Sequence, residues 1–275
     1  MARGRKRRRG YGDTHRKNAL GWAILVFCLA VGGTLFWWHT EKQAALVRLD
    51  QTTLCPSTGP TAVTAVLIDR TDVLNPVQRE AIRQALASVK NSVMTGELLQ
   101  LYSVGPADES VREPLIELCN PGRGDEVSAF DAAPRLVEQR WRDGFEGPLQ
   151  AIFRDVVETD GASRSPIMES MQSVSVTAFG PDDRRVVPRR LVLVSDMLQH
   201  TDGASHYANF LPFDGFGDTP YYRRVRGDLR DVEVEIFYIW RTTNKTIQGK
   251  AHVQFWRDLI SDQGGTLVHV DSIEG

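Results

Sequence analysis

The stretch Thr61-Ala-Val-Thr-Ala-Val-Leu-Ile68 is apolar and β-branched, and it runs directly into Asp69-Arg70-Thr71-Asp72. A run of this kind bounded by polar sequence reads as a strand buried on both faces, as in a parallel sheet. Arg190-Leu-Val-Leu-Val-Ser195 repeats the pattern and is closed by Asp196. Working outward, Leu98 to Val104, Leu115 to Cys119, Val232 to Trp240 and Thr266 to Val270 read as four further strands. Helical patterns lie between them. Asn75 precedes Pro76 and a series Val77, Ile82, Ala85, Leu86, Val89 with spacing near 3.6. An Asn cap followed by Pro at the first helical position is a start signal. Residues 132–158 carry a second pattern, which Gly144, Gly147 and Pro148 are expected to break into two helices. Pro166 opens another, and Thr246 to Ile260 the last. This alternation predicts an α/β domain with a largely parallel sheet and helices on both faces.

The N-terminal part has a different character. Residues 1–17 hold eight Arg or Lys and one Asp, about +7, whereas the remainder carries about −9. An acidic body behind a basic tip argues against a nucleic-acid binder. From Ala19 to Trp38 the chain is uncharged. Twenty helical residues span roughly 30 Å, the thickness of a hydrocarbon core. Trp37 and Trp38 sit at the far end, as interfacial aromatics do, and the flanking cations set orientation by the positive-inside rule. The expected organisation is a basic cytoplasmic tip (1–18), a transmembrane helix (19–38), a polar stalk (39–60) and an extracytoplasmic domain (61–275). A cleavable signal peptide is the rival reading, but Cys28-Leu29-Ala30 is a poor cleavage site. The Arg run has another use open to it, binding anionic lipid or nucleic acid, with a topology signal the default. With 41% hydrophobic and 25% charged residues, wholesale disorder, collagen and coiled coil are excluded.

Outside the span only Cys55 and Cys119 remain. In an oxidising compartment they suit a disulfide; two unrelated thiols are the alternative. No His stands at ligand spacing, so zinc is not indicated.

In open α/β sheets ligands bind at the carboxyl ends of strands. Here those ends carry Asp69, Thr71 and Asp72, then Ser195 and Asp196, with Ser163 and Ser165 on the loop before the Pro166 helix. All are hard oxygen donors, suited to Mg²⁺ or Mn²⁺. On these residues the chain resembles the von Willebrand factor A family, whose metal-ion-dependent adhesion site uses Asp-x-Ser-x-Ser, a later Thr and a later Asp. Asp69 matches the first Asp, Thr71 the first hydroxyl, Ser165 the Thr and Asp196 the last Asp. The second Ser falls on Val73, so one hydroxyl is missing, and Asp72 is the candidate to compensate. The resemblance covers about residues 61–272. It implies a Rossmann-like, doubly wound sheet of six strands with Leu115 to Cys119 as an antiparallel edge. It also implies adhesion in which a partner's acidic side chain completes the coordination of a bound cation.

Residues 200–230 are rich in Gly, Asp, Phe and Tyr and are expected to form a long irregular segment rimming this site. Phe210, Phe213, Phe216, Tyr221 and Tyr222 are candidate partner contacts. The alternative is a lid over the domain's own apolar surface. His200 and His206 lie on the same segment and are candidate ligands or acid/base groups, with solvent exposure the default. Asn244-Lys-Thr246 fits a glycosylation acceptor in a eukaryotic secretory host.

Enzyme readings rank lower. Asp69-Arg-Thr71 is also similar to the start of haloacid-dehalogenase-type phosphatases, but Thr71 stands where an acid/base Asp is needed. No Gly-x-Ser-x-Gly or phosphate-binding Gly-Lys loop occurs. The expectation is a non-catalytic, protein-binding module of an envelope complex. It would sit in a bacterial inner membrane with its domain in the periplasm, taking no nucleic acid and no small-molecule substrate. A metal-independent scaffold is the alternative, and a phosphatase-like hydrolase the third reading.

Overall fold

The predicted Thr61–Ile68 run becomes β1 (Val63–Asp69), with every residue buried. In this computed structural model the described residues are 22, 24–34, 48–71, 73–104, 113–127, 133–158, 161–181, 186–208 and 210–275. In β1, Val63, Ala65 and Leu67 pack on one side of the sheet and Val66 and Ile68 on the other. That two-sided burial is why the sequence shows no alternation. The other strands are β2 (Leu98–Val104), β3 (Ile116–Cys119), β4 (Arg189–Ser195), β5 (Val232–Ile239) and β6 (Thr266–Ile273). Their order is β3-β2-β1-β4-β5-β6. All pairings are parallel except β2 with β3, so β3 is the antiparallel edge strand. The sheet is doubly wound, and its strand order reverses between β1 and β4.

Helix α1 (Pro76–Ser92) starts as expected: the Asn75 side chain accepts the Gln78 N–H in a reciprocal capping box. It shares its side of the sheet with α2 (Pro134–Trp141) and α3 (Gly147–Asp155). The predicted break at Gly144–Pro148 is corrected. The helix runs on through a π turn, Arg142–Glu146, in which the Gly147 N–H bonds the Arg142 carbonyl. Widening the turn by one residue accommodates Pro148, which has no N–H to give and crowds the preceding turn. The opposite side is covered by α4 (Ile167–Thr177), α5 (Phe213–Phe216), α6 (Pro220–Val225) and α7 (Lys250–Asp262). Two of these, α5 and α6, lie where an irregular segment was expected. The last helix begins at Lys250 rather than Thr246, after a 3-10 turn at Thr242–Asn244.

The compact unit starts at Leu49, so residues 49–60 belong to the domain and not to a stalk. Leu54 packs against the core on the α1 side of the sheet, and two contacts are made to Cys119. Cys55 and Cys119 form a disulfide, and the Cys119 N–H bonds the Thr53 carbonyl. In the preceding unit, Trp22 and residues 24–34 are helical and Cys28 is a free, exposed thiol. No helix among the described residues is long and apolar enough to cross a membrane. The rest of the expected 19–38 span lies outside the described residues, as do Trp37 and Trp38.

Candidate functional site

The strand-order reversal creates a crevice at the carboxyl ends of β1 and β4, the position where doubly wound sheets bind ligands. Asp69 closes β1 and is buried. Its Oδ1 accepts the Thr71 N–H at 2.9 Å and the Thr71 hydroxyl at 2.6 Å. Its Oδ2 accepts the Ser165 hydroxyl at 3.0 Å and the Ser195 hydroxyl at 2.8 Å. Three loops therefore converge on one carboxylate, each through a hydroxyl. Of the predicted ligands, Asp69, Thr71 and Ser165 are brought together directly. Ser195, noted in the sequence only as a strand end, joins them because Ile68 and Val194 pair in register. Asp72 lies outside the described residues.

Asp196 is satisfied differently. It is 1% exposed. Its Oδ1 accepts the Leu198 N–H at 2.9 Å, and its Oδ2 accepts Arg241 Nε at 3.1 Å. Arg241 follows β5, and its Nη1 donates to the Val73 carbonyl at 3.0 Å. Its backbone N–H is held by Gln248 Oε1 at 2.7 Å, while Gln248 Nε2 donates to the Asp196 and Ile239 carbonyls. The next residue, Met197, adopts φ 61, a left-handed conformation that disfavours a Cβ. It is fixed from both ends. Its N–H bonds Ser195 Oγ, and its carbonyl accepts Trp256 Nε1.

As arranged, these residues do not fit a divalent cation. The Thr71 and Ser165 hydroxyls keep lone pairs to offer. However, a guanidinium already sits on the Asp196 carboxylate, and Val73 supplies no hydroxyl. Among the described residues no group of three or more His, Cys, Asp or Glu side chains is placed to hold a metal.

The loop beyond Asp196 is anchored to the same cleft. Ser165 and His200 exchange two backbone hydrogen bonds at 2.9 Å. The start of α4 is capped by Gln199, whose Oε1 accepts the Met168 N–H. Gln199 Nε2 reaches Glu169 and Tyr221, and the Tyr221 hydroxyl donates to Glu169 Oε1 at 2.5 Å. Burial and the Glu169 carboxylate push the Tyr221 phenol up, so it remains a donor. The aromatics expected to meet a partner point inward. Phe216, Tyr221 and Tyr222 are buried, and Phe210 and Phe213 are half-buried against the same core. Their apolar area covers the sheet's own α7 side, which is the lid reading. Tyr207 and Leu211 are the large hydrophobic side chains that this segment leaves exposed among the described residues.

Neither histidine of the segment reaches the carboxylates. His200 Nδ1 pairs with Ser205 Oγ. His206 is buried, with Nδ1 2.9 Å from His252 Nε2, and His252 Nδ1 is 2.6 Å from the Tyr238 hydroxyl. Burial depresses His206 to about 3 and His252 to about 4, so both rings are neutral. Sequence reasoning missed Arg241, Gln248 and the Glu169–Gln199–Tyr221 lock. For Arg241 the one available signal is weak: a cation set two residues beyond the end of a buried strand.

Fold and site together define a doubly wound α/β domain with a hydroxyl-lined, carboxylate-centred cleft at its switch point. No family model matches the sequence, and no curated protein matches it. Among solved structures the chain is similar to the VWA domain of SpRpn10, at 11% identity over 78% of this chain and 88% of that one, TM-score 0.40. It is similar to the conserved hypothetical protein BatB from Bacteroides thetaiotaomicron, at 10% identity over 77% and 91%, TM-score 0.37. It is also similar to the pilus adhesin SpaC from Lactobacillus rhamnosus GG, at 10% identity over 79% of this chain and 28% of that one, TM-score 0.43.

Proposed function

We propose that residues 49–275 form a von Willebrand A-like protein-binding domain. It docks a partner of an envelope complex on the carboxyl edge of its sheet, as a scaffold that needs no metal. One observation carries the metal-free reading: Asp69 and Asp196, the candidate carboxylate ligands among the described residues, are already compensated by the chain itself. Asp69 is compensated by four donors and Asp196 by Arg241. An uncompensated buried carboxylate would be strongly unfavourable, so this arrangement is stable without an added cation. Asp69 as a catalytic nucleophile is disfavoured, since both oxygens are engaged and Thr71 cannot protonate a leaving group.

The basic tip and the uncharged 19–38 run support a domain carried on the periplasmic side of a bacterial inner membrane. The Cys55–Cys119 disulfide supports an oxidising compartment. The second reading, Mg²⁺- or Mn²⁺-dependent adhesion, draws on the Thr71 and Ser165 hydroxyls gathered at Asp69, and it requires Arg241 to leave Asp196. The test is recovery of partners on the full chain from native membranes in Mg²⁺ and in EDTA. Equal recovery is expected. A partner retained only in Mg²⁺ would favour the second reading, and no specific partner in either buffer would sink both.

A further inference from the structure

We propose that Arg241 is the resident cation of this cleft: its guanidinium fills the place that a divalent metal would take beside Asp196, and so excludes one. The inference deepens the metal-free reading above and rests on it.

Asp196 is the buried anion that needs a cation. At 1% exposure its carboxylate has almost no water, and a buried anion must be paired with positive charge or neutralised. Asp69 beside it is held by hydroxyl and amide donors, whereas the donors to Asp196 include the Leu198 amide and a cation, Arg241. The Arg241 side chain is itself 14% exposed, so this pair lies mostly out of solvent.

The geometry of Arg241 is that of a bridging ion. A metal in such a cleft binds oxygens from separate loops and thereby fixes the loops to one another. Arg241 does this with two arms: Nε on Asp196 after β4, and Nη1 on the Val73 carbonyl in the loop after β1. A rigid planar fork can serve two acceptors in fixed directions, which a lysine ammonium does less well. Val73 matters here because its side chain offers no ligand while its carbonyl accepts from Arg241. The position that departs from the adhesion pattern is therefore the one the arginine uses.

The arginine is also braced. Gln248, buried, holds the Arg241 N–H with its oxygen and the Asp196 carbonyl with its nitrogen. One side chain thus sets the spacing between the two partners of the ion pair, making Gln248 a positioning residue for it. A second cation at Asp196 would meet a guanidinium that cannot withdraw without breaking contacts to both loops.

The test uses the full chain in detergent, with Mn²⁺ alone as the probe. The wild-type protein is expected to unfold at the same temperature in EDTA and in millimolar Mn²⁺. It should leave the electron paramagnetic resonance signal of free Mn²⁺ unchanged. Arg241→Ala is expected to lower the unfolding midpoint in EDTA by about 5–10 °C, as when one partner of a mostly buried ion pair is removed. Mn²⁺ should then restore at least half of that loss. Adding Asp196→Ala should abolish the Mn²⁺ response. Should Arg241→Ala fail to fold, Arg241→Lys keeps the charge and is expected to fold and ignore Mn²⁺.

Mn²⁺ binding by the wild-type or Lys protein at Asp196 would overturn the proposal, because metal and arginine would then coexist. An Arg241→Ala protein that loses stability and ignores Mn²⁺ would overturn it as well, leaving Arg241 a clamp without a metal's role. No partner enters these measurements, so they can fail while docking stands, and the partner recovery can fail while they hold.

Discussion

Ser195 and Asp69 are 126 residues apart in sequence, yet the Ser195 hydroxyl donates to Asp69 Oδ2 at 2.8 Å. The same oxygen of Ser195 accepts the Met197 N–H, so one hydroxyl ties the end of β1 to the strained turn after β4. Ser195→Ala removes a hydrogen bond to a buried carboxylate and leaves the Met197 N–H without its acceptor. A loss of about 2–3 kcal/mol is expected, measured by urea denaturation of the folded chain. Ser165→Ala, which keeps that N–H satisfied, should cost less. Equal losses would show that the Met197 turn does not depend on Ser195.

The disulfide closes a loop of 64 residues. In the chain-entropy account it contributes about 4 kcal/mol by restricting the unfolded chain. Cys55→Ser with Cys119→Ser should therefore lower the unfolding midpoint strongly, and reductant should reproduce the shift in the wild-type protein only. A reductant effect on the double variant would locate the sensitivity elsewhere.

Acid should destabilise the domain through its buried imidazoles. His206 and His252 titrate at about 3 and about 4 in the folded protein, below the ordinary 6.5, because burial disfavours their charged forms. Below about pH 6.5 the unfolded chain takes up protons that the folded chain refuses. Stability from this source is thus complete above pH 6.5 and drains away as pH falls toward 4, by up to about 1.4 kcal/mol per pH unit for each ring. His206→Phe places an apolar ring among Phe210, Phe255 and Trp256 and removes one of these groups. A shallower loss between pH 6.5 and 4 is expected in thermal scans, and an unchanged slope would rule the pair out.

Tyr221→Phe tests the lock on the loop. It deletes the hydroxyl shared by Glu169, Gln199 and Thr201 while keeping the ring in the core. Amide hydrogen exchange should speed up by about tenfold over residues 199–206, matching about 1–2 kcal/mol of local stability. Exchange faster across all strands would mean a global effect instead.

Much of this fold was legible because parallel strands buried on both sides leave unbroken apolar runs. Thr61–Ile68 and Arg190–Ser195 announced themselves in that way, and the edge strand before Cys119 was placed correctly. The Asp69, Thr71 and Ser165 cluster was legible because strand ends at a switch point must face one crevice. Three things were not. The aromatics of 210–222 looked like an exposed interface, since composition does not say which side of a short helix faces inward. The π turn at Arg142–Glu146 depends on backbone geometry around Pro148 that no periodicity reports. Arg241 is one arginine among many, and only the packing of β5 against β4 brings it to Asp196.

The covalent bond between Cys55 and Cys119 also decides how the domain meets tension. A pull applied through residues 49–54 and the C-terminal part crosses the sulfur bridge and continues from Asn120. The intervening chain, with β1, α1, β2 and β3, forms a closed ring that force cannot straighten. That withholds about 210–230 Å of extension, taking 64 residues at the reach of an extended chain. Asp69 lies inside the shielded ring, whereas Asp196 and Arg241 lie on the loaded path. Under strain the cleft therefore has one shielded wall and one loaded wall, joined by the Ser165 and Ser195 hydroxyls on Asp69 and by Arg241 on Val73.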